Sequence, residues 1–569
     1  MGARSAVLYK DMADSPQNEL QEKLKKLRHE GEERAAQRLA EKLGLSYIDL
    51  SKVPVSLDAV RVIPEATARE AKIASIESKS KKLAVAAVDP DLPAAKKAIT
   101  DLIAQKYDIK VVVVSPTSME AAWHFYQFIK ADAGTITGKV NITKERMADL
   151  RSHLVTIDAI HDELAKLDFS KASPLILIEI LLAGAMGMRA SDIHTEAGQK
   201  GAKIRFRIDG LLRDIFTDLP LHTYQAFVSR IKLLSEMKLN VRSEAQDGRF
   251  TIGLGDKEIE MRVSIIPAEF GETIVMRILD PSATMVGLPD LGLRPDNLEL
   301  VKKQLDRPNG LILNTGPTGS GKTTTLYAFL RTMNDPTVKI ITLEDPIEYR
   351  IDGVEQTQVN DDAGYSFANG LRAIVRQDPD VILVGEVRDL ETADIAMQAA
   401  LTGHLVLSTL HTNDAVGAVP RLINLGVKAV SIGPALALVI AQRLVRVLCK
   451  ECKKEAVVDD AVKEKIKAFL TKLPAHVDRA PYENYKIYEP VGCAKCNKLG
   501  YKGRVGVFEF LEGGGDLETT ILKEASEVAL RGVAERQGMV TMQQDGILKV
   551  LAGQTTFDEV KGATGEIEW

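Results

Sequence analysis

The stretch LILNTGPTGSGKTTTLYAFLRTM, residues 311–333, decides the fold. LILN is a short apolar run of the kind that makes a buried strand, and TTTLYAFLRTM reads as a helix. Between them, Gly316, Pro317, Thr318, Gly319, Ser320, Gly321, Lys322 and Thr323 fit the pattern G-x-x-x-x-G-K-[ST] in full. The glycines let the backbone curl so that several N–H groups point at phosphate oxygens. The helix that follows adds the positive end of its dipole. In such a loop Lys322 binds the β and γ phosphates and the Thr323 hydroxyl holds Mg²⁺, with Thr324 beside it in the first helical turn. A chance glycine turn would not arrive with the lysine, the threonine and both flanks in place.

Outward from this loop the pattern repeats. LILN, KIITLE, VILV and HLVLST are short β-rich runs separated by helical stretches. That alternation predicts an α/β domain over 296–569, with a parallel sheet covered by helices on both faces. Upstream, 173–285 mixes a buried helix with alternating strands such as KIRFRIDGLLRDI and IEMRVSIIP, which predicts a middle α+β domain. The loop DPSATMVGLPDLG joins the two, and 131–172, with AGTITGKVN and the polar run NITKERMADLRSHL, reads as a linker and connecting helix. Residues 1–130 hold KKLAVAAVDP, DLPAAKKAITDLIAQKY and IKVVVVSP, one β-α-β unit of a small α/β domain. Ahead of it, 17–44 is rich in Lys, Glu, Gln and Arg. Leu20, Leu24 and Leu27, then Leu39 and Leu43, predict a solvated helix pair broken near Gly31.

The 569 residues allow three or four domains, and 45% hydrophobic with 27% charged residues is an ordinary globular mix. Lys plus Arg at 74 against Asp plus Glu at 79 leaves a net charge of -5, without the basic excess of a dedicated duplex binder. The first twenty residues lack the apolar core of a secretory signal, and Ala6 breaks the myristoylation pattern. The most apolar stretches, Pro174 to Ala185 and Ala429 to Ala441, are too short to span a bilayer and read as buried helices. A soluble, cytosolic protein with at most peripheral membrane contact is expected.

A phosphate loop binds nucleotide, but hydrolysis needs groups that orient water and support the metal. Val381 to Val384 is a buried-type strand ending at Gly385-Glu386. Ligands sit beyond the carboxyl ends of such strands, so Glu386 is placed to hold Mg²⁺, a plain surface carboxylate being the alternative. Lys339 to Leu343 ends at Glu344-Asp345, where Glu344 is placed to polarise the attacking water and Glu348 is a weaker candidate beyond the turn. By itself, an acidic pair before Pro346 is more often a solvated turn. In TGHLVLSTLHTND, His404 opens a strand and His411 closes it. The residues alone favour two hydrogen-bonded histidines at strand ends, while His411 is also placed to sense a γ-phosphate.

GPTGSGKTTT, ITLEDPIEY, LRAIVRQDPDVILVGEVRDLETA and ALTGHLVLSTLHTNDA in this order resemble the secretion ATPase superfamily, and more closely the ATPases of type II secretion and type IV pilus assembly. RASDIHTE, IRFRIDGLLRD, AQDGRF and GETIVMRILD extend the resemblance to about 170–562. It implies a RecA-like P-loop domain, with Gly316 to Thr323 as Walker A motif, Glu344 as general base in the acidic box and Glu386 as the atypical Walker B carboxylate. It places His404 and His411 in a phosphate-sensing histidine box. It implies hexameric rings whose middle domain supplies arginines to the nucleotide. Arg205, Arg207 and Arg213 match that strand, with an ordinary exposed strand face as the alternative, and Arg372 and Arg376 are further candidates. Thr195 and Ala197 depart from the family pattern, where an apolar residue and a proline are common, and Pro420 interrupts the helix after the histidine box. Residues 1–130 look like the family's variable N-terminal adaptor domain, which in some relatives binds a cyclic dinucleotide through Arg-Leu-Gly motifs; the sequence contains no such motif.

The four cysteines form two C-x-x-C knuckles, Cys449/Cys452 and Cys493/Cys496. Four thiolates are the set that structural Zn²⁺ prefers, although residues 453–492 make a longer gap than usual zinc spacing. Free thiols or a redox pair are the alternative. The resemblance implies the same zinc insert, 449–496, and favours assembly or secretion over retraction. Together these features predict an ATP-hydrolysing homo-hexamer at the inner membrane that powers assembly of type IV pili or type II secretion pseudopili. It would act through an inner-membrane platform protein and a cytoplasmic adaptor, without direct nucleic-acid contact. The alternative is a DNA-uptake or conjugation-type translocation ATPase on the same core.

Overall fold

The computed structural model describes residues 16–50, 53, 55, 57–79, 81–126, 139–169, 173–254, 257–280 and 286–569. The N-terminal segment read for targeting signals, most of the linker AGTITGKVN and the first part of the loop DPSATMVGLPDLG lie outside them. The chain forms two compact units: one holds residues up to Arg207 with Leu212–Ile278, the other Ile208–Leu211 with Leu279–Trp569.

The first unit contains two sheets. Its N-terminal sheet has the order β1-β4-β3-β2, from β1 (Ser46–Tyr47), β2 (Ile73–Lys79), β3 (Lys82–Ala87) and β4 (Asp108–Val113). β3 and β4 are parallel and joined by the helix Pro93–Ala104, as the β-α-β reading predicts. The expected break at Gly31 is absent: one helix runs Pro16–Leu43. A glycine in a helix interior costs only about 1 kcal/mol, and Gly31 lies on an exposed face flanked by good helix formers. Ala36 and Ala40 of that helix pack on Val113.

The second sheet has the order β5-β9-β10-β11-β6-β7-β8, from β5 (Lys139–Asn141), β6 (Asp192–Ala197), β7 (Ala202–Ile208), β8 (Leu211–Leu219), β9 (Gln246–Leu254), β10 (Lys257–Ala268) and β11 (Gly271–Leu279). The buried helix Pro174–Gly187 and the helix Leu221–Leu234 pack together beside it. Thr195 is fully buried there, its hydroxyl 3.3 Å from that of Tyr224, so this departure from the family pattern is accommodated by a polar partner. The blocks read as separate domains share one unit: the Asn240 amide donates to Leu50 O at 2.7 Å and to Val53 O, and its oxygen accepts from Val55 N at 3.3 Å.

The second unit is built on β14-β13-β15-β16-β12-β17-β20: β12 (Gly310–Thr315), β13 (Ile340–Glu344), β14 (Glu355–Gln358), β15 (Val381–Val384), β16 (Leu405–Leu410), β17 (Leu436–Leu448) and β20 (Tyr501–Glu512). All neighbours are parallel except β17 and β20. Every residue of β12, β13, β15 and β16 is buried, as a sheet covered on both faces requires. One hydrophobic cluster lies on each face: Leu311, Val384 and Val439 belong to one, Ile312, Leu383 and Leu438 to the other. Ala429 to Ala441 is not one buried helix. The helix ends at Ala435 and Leu436 opens β17, because the apolar run after Pro434 pairs with β12. Pro420 does not interrupt its helix, which begins at Ala418 and so holds the proline in its first turn, where its missing N–H is harmless.

Candidate functional site

The phosphate loop leaves the carboxyl end of β12 and enters the helix Lys322–Met333. Gly316, Gly319 and Gly321 have φ of 149°, 81° and 90°, the left-handed region that favours glycine. A Cβ on Gly316 would lie 2.5 Å from Gln442 O, and one on Gly321 2.8 Å from Gln442 Nε2. The loop is therefore clamped from β17, where Gln442 Oε1 also accepts from Asn314 at 3.1 Å and Thr325 at 2.8 Å. The Ser320 hydroxyl oxygen is buried in the loop without a partner. Lys322 Nζ donates to the loop carbonyls of Gly316, at 2.7 Å, and Pro317, at 3.2 Å. Burial pushes its ammonium down to about 8, Glu386 pulls it back up, and Arg443 adds to the fall. A polyphosphate fits this cradle: the curled glycines, the orphaned hydroxyl and the desolvated lysine all lack an anion to answer them.

Glu386 follows β15 by two residues, fixed by Thr409 Oγ1 donating to Gly385 O at 2.7 Å and Val387 N to Thr409 O at 3.1 Å. Its carboxylate pairs with Arg388 through Oε1 and lies 3.7 Å from His411 Nε2 through Oε2. Arg388 also reaches Asp345 at 3.8 Å, so it bridges the two acidic segments. Burial lowers the His411 imidazolium's pKa and the Lys322 charge lowers it further, against the pull of Glu386.

Glu344 ends β13 at the same end of the sheet, in register beside β15. Its carboxylate turns toward the phosphate-loop helix. Oε2 accepts from Tyr327, and Oε1 accepts from Thr342 at 2.6 Å and Gln356 at 3.2 Å. It is 4% exposed, and burial raises its pKa above the usual carboxylate range against these three donors.

Lys322, Glu386 and His411 thus meet directly beside the loop, and Glu344 stands behind them. His404 does not join them. It precedes β16 at the opposite end, its Nδ1 3.0 Å from Ala399 O, and six strand residues, about 20 Å, separate it from His411. His404 is therefore a hydrogen-bonded histidine at the strand end away from the phosphate loop. Arg372 pairs with Glu391, and Arg376 closes the helix Phe367–Val375. In the first unit, Arg205 pairs with Glu196 and Arg207 lies 3.4 Å from Asp192, while the Arg213 Nε is buried without an acceptor.

Four residues beside the loop escape the motif reading: Tyr327, Arg388, Gln442 and Arg443. Arg443 forms no ion pair among the described residues; it donates to Asn413 O at 3.2 Å, tying the loop after His411 to β17. The signal for Gln442 and Arg443 is a polar pair inside an otherwise apolar strand, and for Tyr327 its position one turn beyond Thr323 on the same helical face.

All four cysteine sulfurs lie within 4.8 Å of one another, with contacts of 3.9, 3.7 and 3.7 Å. A tetrahedron with Zn–S bonds of about 2.3 Å has sulfurs about 3.8 Å apart. The long gap is bridged by the sheet. Cys449 follows β17, the second knuckle precedes β20, and these strands pair antiparallel, with Leu448 opposite Tyr501. Residues 453–492 hang from that pair, where β18 (Lys454–Glu455) meets β19 (Tyr488–Glu489).

No helix among the described residues is long and apolar enough to cross a membrane. The chain is 38% identical over 533 residues to the type IV pilus assembly ATPase PilB of Myxococcus xanthus, covering 92% of this chain and 90% of that one. It is 41% identical over 477 residues to the type II secretion system ATPase E of Vibrio cholerae, covering 80% and 92%. Among solved structures, the ATPase DotB of Legionella pneumophila superposes with a TM-score of 0.50 at 22% identity, over 68% of this chain and 95% of that one, a likeness of fold. The MshEN domain model matches residues 43–127, which gives the N-terminal sheet its family. The model for Type II/IV secretion system proteins matches residues 168–562, and the chain belongs to that family.

Proposed function

We propose that this protein is an ATP-hydrolysing motor that powers the assembly of type IV pili or type II secretion pseudopili. The observation that carries this reading is the meeting of Lys322, Glu386 and His411 at the phosphate loop, with Glu344 on the adjoining strand end. Loop N–H groups and Lys322 hold the polyphosphate, and His411 reads the terminal phosphate. Thr323 and Glu386 would hold Mg²⁺, which would supply positive charge against that developing on the phosphoryl oxygens. Glu344 takes a proton from water as the water oxygen bonds to the γ-phosphorus, and the bond to the bridging oxygen breaks to release ADP. The test is steady-state phosphate release by wild type and by Glu344→Gln. Equal rates would remove Glu344 from its role.

By the family pattern the working form is a hexamer, peripheral at the inner membrane, with Arg205, Arg207 and Arg213 supplying positive charge to nucleotide and an inner-membrane platform protein and cytoplasmic adaptor as partners. Arg205 and Arg207 lie on β7 and Arg213 on the neighbouring β8, where its buried, unpartnered Nε supports a ligand. Sedimentation with a non-hydrolysable ATP analogue checks the hexamer. Filter binding at low salt checks the translocase alternative, which retained DNA would favour. The four sulfurs would hold Zn²⁺, which would act as a structural ion tying the two knuckles together. Metal analysis is expected to find one zinc per chain, lost in Cys449→Ser together with a fall in Tm.

A further inference from the structure

Glu344 is an unusual base in that its carboxylate is already almost fully engaged. A carboxylate offers about four lone pairs, two on each oxygen. Thr342 and Gln356 occupy both on Oε1, at 2.6 and 3.2 Å. Tyr327 occupies one on Oε2. A single lone pair, on Oε2, is left for the attacking water. Thr342 comes from the same strand, Gln356 from β14 and Tyr327 from the phosphate-loop helix, so three elements fix one carboxylate.

We propose that Tyr327 is the positioning residue for Glu344: its hydroxyl anchors Oε2 from the phosphate-loop helix and leaves that oxygen one free lone pair, aimed at the water. This rests on Glu344 acting as the base. The helical period supports the geometry, because Tyr327 lies one turn beyond Thr323 on the same face. A movement of the loop with its phosphate therefore carries the phenol, and with it the carboxylate. Tyr327 is 1% exposed, so no solvent replaces it. Its ring is edge-on to Tyr349, 6.3 Å between centroids, and the backbone N–H groups of Tyr349 and Glu348 point at its oxygen. The segment after Glu344 thus folds over the same phenol. Burial and the adjacent carboxylate push the phenol's ionisation far above its usual range, so it stays a donor at every working pH. Around Glu344 the hydrogen-bonding groups are Tyr327, Thr342 and Gln356, and the neighbouring charge is Glu348, which opposes ionisation.

In the step itself the proton passes from water to Glu344 Oε2, the water oxygen forms its bond to the γ-phosphorus, and ADP leaves with the electron pair of the broken bond. The proton then passes to the phosphate product. Tyr327 keeps its own proton throughout.

The sign follows from the donor. Tyr327 stabilises the charged carboxylate, so Tyr327→Phe raises the Glu344 pKa further above its already raised position. The acid limb of the kcat profile is expected to move up by about one pH unit, the size of one lost hydrogen bond to a charged group, with KM for ATP unchanged. Site-specific 3-fluorotyrosine at 327, a stronger donor of nearly the same size, is expected to move the limb down. A purely structural tyrosine would lower Tm in the phenylalanine variant and leave the limb in place in both, which overturns the proposal. Glu344→Gln separates the two claims. Its loss of turnover beside an unmoved limb ends the Tyr327 role alone, and its full turnover ends the base reading itself.

Discussion

Two carboxylates end neighbouring strands of one sheet, and their surroundings are opposite. Glu386 faces basic groups: Arg388 on one oxygen, the His411 ring at 3.7 Å from the other, and the Lys322 charge beyond. Glu344 faces neutral donors in a closed interior and one further carboxylate, Glu348. The first arrangement suits a carboxylate to metal and electrostatic work. The second raises the carboxylate's pKa through burial, the direction that favours taking a proton. Sequence position treats the two alike, and only the packing tells them apart.

The largest expected effect comes from removing each charge in turn. Glu344→Gln keeps the shape and its donors' contacts, so nucleotide affinity is expected to hold while phosphate release falls by roughly 10²–10⁴-fold. Glu386→Gln is expected to lower turnover and also raise the Mg²⁺ concentration needed for half-maximal rate. A shared phenotype, with the same Mg²⁺ dependence in both variants, would dissolve the distinction between the two sites.

A second effect tests the charge beside Glu386. Lys322 has its pKa pushed down to about 8 by burial. Its charged form binds phosphate, so nucleotide Kd is expected to stay flat below that pH. Above it, Kd weakens by up to about tenfold per pH unit until the lysine also deprotonates in the complex. A fluorescent ATP analogue titrated between pH 7 and 9.5 reads this directly. Flat affinity across the range would mean that the lysine is not desolvated.

A smaller effect concerns Arg388, whose exposed side chain pairs with Glu386 and reaches Asp345. Exposed pairs contribute little, roughly 0.2–1 kcal/mol. Arg388→Ala frees the Glu386 carboxylate, so the apparent Mg²⁺ affinity in phosphate release is expected to tighten by about two- to fivefold. Weaker Mg²⁺ binding would show instead that Arg388 orients the carboxylate for the metal.

The sequence was most legible where one physical rule acts locally. The phosphate loop, the four short buried strands from LILN to HLVLST and the β-α-β unit at 82–113 follow from period and motif. It was least legible where distant segments meet. Residues 436–441 carry an apolar run that suits a helix or a strand, and pairing with β12 decides it. The cysteine gap is longer than usual zinc spacing, and the pairing of β17 with β20 brings its ends together. Tyr327 and Arg443 carry no motif of their own, since each acts through a partner far away in the chain.

The smallest expected effect belongs to His404, and it tests whether a motif is a site. His404 and His411 share one strand, and the family pattern groups them as phosphate sensors. The strand places His411 beside Glu386 and leaves His404 about 20 Å away, bonded to Ala399 O at 3.0 Å. His404→Gln removes one ring hydrogen bond at a strand end, which costs about 1 kcal/mol of stability. Its turnover is expected to stay within about twofold of wild type, since its ring bonds to Ala399 O at the end of the sheet away from the phosphate loop. His411→Gln, at the other end of the same strand, is expected to lower kcat with little change in Tm. Should His404→Gln abolish turnover while Tm is held, the far end of β16 serves a nucleotide in a neighbouring subunit, and the contrast between the two strand ends becomes a contrast between two active sites.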